Sequence, residues 1–177
     1  DPAKRQVVLR AGDVDDEGVK DPYVAIVGGM YYMFVHYAPR FRQPPNATQE
    51  ELHGTGNIFA TEPGKGSAGL ATSLDGVNFE WQGEVLPPGD SWDSKLTRVD
   101  TMAYLPPVYT VLYSGRSSIE ETYEDGTGIA ISHDLKSFKK LTPDRPALQS
   151  AHSTGSLRYS DVVVLDDEYV FYYEYAR

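Results

Sequence analysis

Cations and carboxylates stand close together at three points in this chain: Lys20-Asp21, Arg98-Val99-Asp100 and Arg158-Tyr159-Ser160-Asp161. Two carboxyl groups, one protonated and one ionised, are what hydrolysis of a glycosidic bond requires. The first donates a proton to the leaving oxygen, and the second stabilises or attacks the anomeric centre. Asp21, Asp100 and Asp161, at the starts of different strands, could supply such a pair. Arg98, Arg158 and His152 are placed to bind a substrate hydroxyl or a phosphate. His53 and the acidic stretch Glu120, Glu121, Glu124 fall in segments that read as loops, where binding residues concentrate. The chain has no cysteine, which removes thiolate chemistry and cysteine-ligated zinc. Its four histidines lack paired spacing, and Gly54-x-Gly56 and Gly126-x-Gly128 lack the lysine or helix of a phosphate loop. No metal or cofactor is expected.

The elements that must position these residues are legible as a repeat. Gly69-Leu70-Ala71-Thr72-Ser73-Leu74-Asp75 with Phe79 recurs as Gly128-Ile129-Ala130-Ile131-Ser132-His133-Asp134 with Phe138. Before each copy stands an Asp-headed apolar run (Asp21, Asp100, and a third at Asp161), then a turn and an aromatic run. Those aromatic runs are Tyr31–Tyr37, Val108–Tyr113 and Tyr169–Tyr175. From Asp100 to Asp161 is 61 residues and from Asp21 to Asp100 is 79, and the excess of 18 lies between Ala38 and Gly69. The unit is therefore about 60 residues of four short strands, with one long inserted loop at 39–65. Short β-branched and aromatic runs bounded by Gly, Pro and Asp give an all-β class, and a repeat of this length points to a propeller. The Ser-x-Asp turns at Asp75 and Asp134 read as local Asx-type turns, not chemistry.

Length and charge bound the rest. With 177 residues the chain is one domain, 1–177, or part of one. A net charge of −10 argues against nucleic acid or an anionic membrane as partner. No signal or membrane-spanning run is visible, and compartment is left unassigned. About two and a half to three blades do not close a ring, so the remaining blades are expected from a missing segment or another chain. In a propeller the first strand of each blade lines the channel and the second returns to the same rim. That geometry places Asp21, Asp100 and Asp161 around one mouth, beneath the loops 39–65 and 116–126.

Gly18-Val19-Lys20-Asp21-Pro22-Tyr23-Val24, its Gly-Gly turn and Tyr31-Tyr32-Met33-Phe34 resemble the blade opening of five-bladed propeller glycosidases. These are the glycoside hydrolase family 43-like enzymes and the invertase-like fructosidases. Ser73-Leu74-Asp75-Gly76-Val77-Asn78-Phe79-Glu80 resembles their outer hairpin. The resemblance implies a five-bladed β-propeller acting on a furanoside or pyranoside carbohydrate at the channel mouth. In those families the Asp before Pro stabilises the transition state, which Asp21 matches. The acid is a Glu on the next blade, where this chain has Asp100 and no Glu at 97–101. Asp100, Glu17 or a rim residue (Glu120, Glu121, Glu124) is then the acid. Two alternatives share the fold: a glycoside phosphorylase with Arg98, Arg158 and His152 on phosphate, and a sugar-binding propeller without catalysis.

Overall fold

The computed structural model describes residues 5–14, 16–54, 64–118, 126–175 and 177. Two antiparallel four-stranded sheets and one two-stranded sheet follow each other along the chain. The first blade holds β1 (Asp16–Val27), β2 (Met30–Pro39), β3 (Ser67–Ser73) and β4 (Glu80–Leu86), paired in that order. The second holds β5 (Leu96–Leu105), β6 (Val108–Arg116), β7 (Gly126–Ser132) and β8 (Lys139–Lys140). The third contributes β9 (Leu157–Val164) and β10 (Tyr169–Tyr175). The strands begin before the Asp residues that seemed to head them, at positions 16, 96 and 157.

The blade faces explain the apolar runs. On β2, Phe34 points to one side and joins Leu70 and Leu86 against Val99, Val111, Tyr113 and Leu135 of the second blade. Met33 and Val35 point to the other and pack with Ala71, Trp81 and the preceding segment through Val8 and Leu9. A strand buried on both faces loses period-2 alternation and reads as continuous apolar sequence. Gly28 and Gly29 both have positive φ (59° and 81°), the backbone of a type I′ hairpin turn between β1 and β2.

The repeated Gly-x-Ala of the third strand has a steric cause. A Cβ on Gly128 would stand 2.5 Å from the Tyr113 ring and 2.7 Å from Trp92, two rings stacked 5.4 Å apart. In the first blade Trp81 lies over Gly69 in the same way. Gly128→Ala is expected to cost about 1–3 kcal/mol through overpacking, read as a fall in melting temperature of a few degrees. An unchanged melting temperature would show that the ring pair slides aside freely.

The hairpin carboxylates behave as the repeat implies. Asp75 Oδ1 accepts from the N–H groups of Val77 (2.8 Å) and Asn78 (2.7 Å), and Ser73 Oγ donates to it. Asp134 Oδ1 accepts from Lys136 and Ser137 N–H, both at 2.9 Å. These backbone donors hold both carboxyls below the ordinary carboxylate range. Their stabilisation is therefore complete above the unfolded-state value, about pH 4, and is lost as pH falls through the lower folded value. The melting temperature of Asp75→Asn should thus lie below wild type at pH 7, with the gap narrowing as pH falls below about 4. A gap independent of pH would mean the carboxylate charge is irrelevant to the turn.

The inserted loop carries one short helix, α1 (Gln49–His53), opened by a capping box. Thr48 Oγ1 accepts from Glu51 N–H, and Glu51 accepts in return from Thr48 N–H. Leu52 anchors the helix on Ala38 at the end of β2. No helix among the described residues is long and apolar enough to cross a membrane.

Candidate functional site

Every inner strand carries a surplus residue against its neighbour at the same level, and β1 carries a second one between Asp16 and Val19. On β1, Lys20 faces His36 and Tyr23 faces Phe34, leaving Asp21 and Pro22 against Val35 alone. On β5, Arg98 faces Ser114 and Thr101 faces Leu112, leaving Val99 and Asp100 against Tyr113. On β9, Arg158 faces Glu174 and Asp161 faces Tyr172, leaving Tyr159 and Ser160 against Tyr173. These are β-bulges, devices that redirect side chains at rims.

The register sorts the three motifs differently from their spacing. Lys20, Arg98 and Arg158 are the equivalent residues, one per blade. Asp21, Asp100 and Asp161 then fall one, two and three places beyond the cation. Their roles differ accordingly. Asp161 occupies the place of Tyr23 and Thr101, which tie each blade to the next. Tyr23 OH accepts from Met102 N–H at 3.2 Å, and Thr101 Oγ1 accepts from Val162 N–H at 3.3 Å while donating to Asp161 at 3.0 Å.

The bulges open a cleft of about 340 Å³ lined by Asp21, Arg98, Asp100, Tyr159 and Asp161, so three blades contribute to it. Arg98 is its hub. Its Nη1 donates to Asp21 Oδ2 at 3.3 Å and its Nε to Asp100 Oδ1 at 3.0 Å. The side chains of Arg98 and Asp100 are 5% and 1% exposed, whereas that of Asp21 is 28% exposed. Asp100 also accepts from Ser114 Oγ and from Ser160 N–H. Burial pushes its carboxyl above the ordinary range, against the opposing pull of Arg98 and Ser114. Asp100 thus anchors Arg98 from below, and Asp21 is the carboxylate a ligand reaches. Beneath them His36 Nδ1 lies 2.9 Å from the Thr97 carbonyl. Burial, then the charges of Arg98 and Lys20, lower its pKa and keep the ring neutral.

The other sequence candidates lie elsewhere. Glu17 is not in the cleft: it pairs with Arg40 (3.2 Å) and hydrogen-bonds His53 Nε2 (3.3 Å), which pins the inserted loop to β1. His152 is exposed in a turn, its ring 6.4 Å from Tyr175. Arg158 donates through Nε to Glu174 at 3.0 Å. Glu120, Glu121 and Glu124 lie outside the described residues. Asp161 lines the cleft, on the mouth it was expected to share with Asp21 and Asp100, and Tyr159, which no motif distinguishes from the other tyrosines of the chain, lines it too.

A larger cavity, about 620 Å³, opens along residues 141–149. It is lined by one connecting segment alone, residues 141–147 and Gln149. The convergence of three blades makes the smaller cleft the candidate site. Among the described residues no group of three or more His, Asp or Glu is placed to hold a metal ion.

No protein family model and no curated protein matches the sequence. Solved structures match the fold. A family 117 glycoside hydrolase from the marine bacterium Zobellia galactanivorans aligns with TM-score 0.65 and 14% identity, over 88% of this chain and 47% of that one. A family 32 β-fructofuranosidase from Bombyx mori aligns with TM-score 0.61 and 17% identity, over 89% of this chain and 29% of that one. A family 130 structure, from mannoside phosphorylases that include glycoside hydrolases, aligns with TM-score 0.59 and 16% identity over 88% and 43%. The chain therefore spans less than half the length of each of these proteins. Its successive antiparallel sheets and these likenesses together make it a stretch of the β-propeller fold found in propeller-type glycoside hydrolases.

Proposed function

We propose that the cleft is part of a carbohydrate-processing site and that the protein hydrolyses a glycosidic bond. The observation that carries this reading is the placement of Asp21. It is a solvent-reachable carboxylate on a bulge, paired with a buried arginine in a cleft built by three blades. Asp21 acts as the ionised carboxylate that stabilises positive charge developing at the anomeric carbon. Asp161, exposed and lining the same cleft, is the second carboxylate within a substrate's reach. A five-bladed ring, with the remaining blades from the rest of the protein or another chain, would complete the mouth.

Phosphorolysis is less well supported. Arg98 and Arg158 are engaged by carboxylates, and His152 lies against Tyr175. A phosphate would have to displace those partners. A non-catalytic sugar-binding role keeps the cleft but not the need for an ionised Asp21. Assaying the full-length protein on aryl arabinofuranosides, xylosides and fructofuranosides separates these readings. Hydrolysis without added phosphate, lost in Asp21→Asn, supports the proposal. Turnover that depends on phosphate, or that survives Asp21→Asn intact, rules it out.

A further inference from the structure

We propose that Tyr159 is a positioning residue of the Asp21 site, acting through Arg98. The role rests on the carboxylate reading above. Among the described residues, four non-glycine residues have φ in the left-handed region, and two of these, Leu135 and Ser153, sit in turns. The other two, Asp21 (51°) and Tyr159 (48°), sit inside strands. They occupy the same bulge position on their respective blades and line the same cleft.

Asp tolerates this backbone conformation through its short polar side chain, but a bulky aromatic does not. Such strain persists only where the surroundings hold the residue in place, and it gathers at functional sites. The tyrosine hydroxyl has no protein hydrogen-bond partner among the described residues, so the ring itself is what the backbone places. The Arg98 guanidinium lies 4.1 Å from the ring centroid and that of Arg158 lies 4.9 Å away. Tyr159 is 44% exposed while the Arg98 side chain is 5% exposed. The ring therefore covers Arg98 on its open side.

A guanidinium is weakly hydrated and stacks on aromatic faces, and the contact strengthens as water is excluded. Asp100 fixes Arg98 at Nε, and the ring keeps water from the same group while Nη1 engages Asp21. Without the ring, water screens the Arg98–Asp21 pair and the carboxylate loses its fixed orientation.

The experiment compares Tyr159→Phe, Tyr159→Ala and Tyr159→Gly in the full-length protein. Three quantities are read: melting temperature, kcat against KM, and hydrogen exchange of the Arg98 Nε–H by NMR. Phe keeps the ring and should keep kcat. Ala and Gly should lower kcat about tenfold with KM less affected, and should speed Arg98 Nε–H exchange. Gly alone relieves the backbone, so it should melt about 3 °C above Ala despite equal loss of function. The inference is overturned if Gly leaves Arg98 exchange unchanged, or if Phe loses as much as Gly. If Asp21→Asn abolishes turnover while Tyr159→Gly retains it, the carboxylate reading stands and only the role of Tyr159 fails. If no glycoside is turned over, the exchange measurement still decides whether Tyr159 shields Arg98.

Discussion

Asp21→Asn in the full-length protein is expected to lower kcat/KM on its best glycoside by about three orders of magnitude while leaving the fold intact. The magnitude follows from what the charge is asked to do. A preorganised group aimed at developing charge in a water-poor site contributes about 10²–10³ in rate by electrostatics alone. The cationic transition state of glycoside cleavage adds to the demand on a carboxylate. The loss should appear in kcat more than in KM, because the charge matters most once the anomeric carbon becomes positive. Stability should change little. Asn has the same shape, accepts from Arg98 through its carbonyl, and is among the few residues at ease at the observed φ of 51°. Asp21→Ala would confuse the result by forcing a Cβ-bearing residue without a polar tip into that conformation. Full turnover by the Asn variant would remove Asp21 from the mechanism.

The largest effect on stability is expected at a site with no part in the chemistry. Asp93 is fully buried, paired with Lys140 and accepting from Tyr113 OH at 3.1 Å and Gly89 N–H at 3.2 Å. Burial and the Asp93 charge together push the Tyr113 hydroxyl far above its ordinary pKa, so it serves as a neutral donor. Lys140→Met removes the only formal countercharge that the structure gives this carboxylate among the described residues. Breaking a buried pair from one side costs about 3–5 kcal/mol, a large share of the roughly 5–15 kcal/mol that a domain has. A fall in melting temperature of about 10 °C follows. Adding Asp93→Asn should restore part of the loss at pH 7. A Lys140→Met protein that melts within about 2 °C of wild type would show that the pair contributes no net stability.

Some of this was legible from residue types alone, and the boundary has a physical cause. The Gly-x-Ala-x-Ser-x-Asp repeat announces its hairpin because each residue there acts locally. Gly128 makes room for Tyr113 and Trp92, and Ser132 and Asp134 close the turn on their own backbone. The four-strand unit and the convergence of Asp21, Arg98, Asp100 and Asp161 at one mouth follow from that repeat. The division of labour among the carboxylates does not. Aligning by the shared Asp treats three positions as one, because a single extra residue in a strand leaves composition and length almost unchanged. The register separates their positions, and the side-chain exposures, 1% for Asp100 and 28% for Asp21, show one turned inward and the other outward. Glu17 looked like an acid because it lies four residues from Asp21, yet Arg40 and His53 engage it from a loop whose path sequence does not give. The Asp93–Lys140 pair spans 47 residues and carries no motif.

The surplus residue in each inner strand has one more consequence. Strand side chains alternate strictly, so rim and core halves of an uninterrupted strand share one phase, and what faces the ligand dictates what faces the neighbouring blade. The extra residue resets that phase at the mouth. Below it Tyr23, Thr101 and Asp161 keep a common setting suited to joining blades. Above it Lys20, Arg98 and Arg158 keep another. Between them Asp21, Val99 and Tyr159 belong to neither, so each blade can present acid, apolar group or aromatic ring at the same spot without repacking what lies beneath.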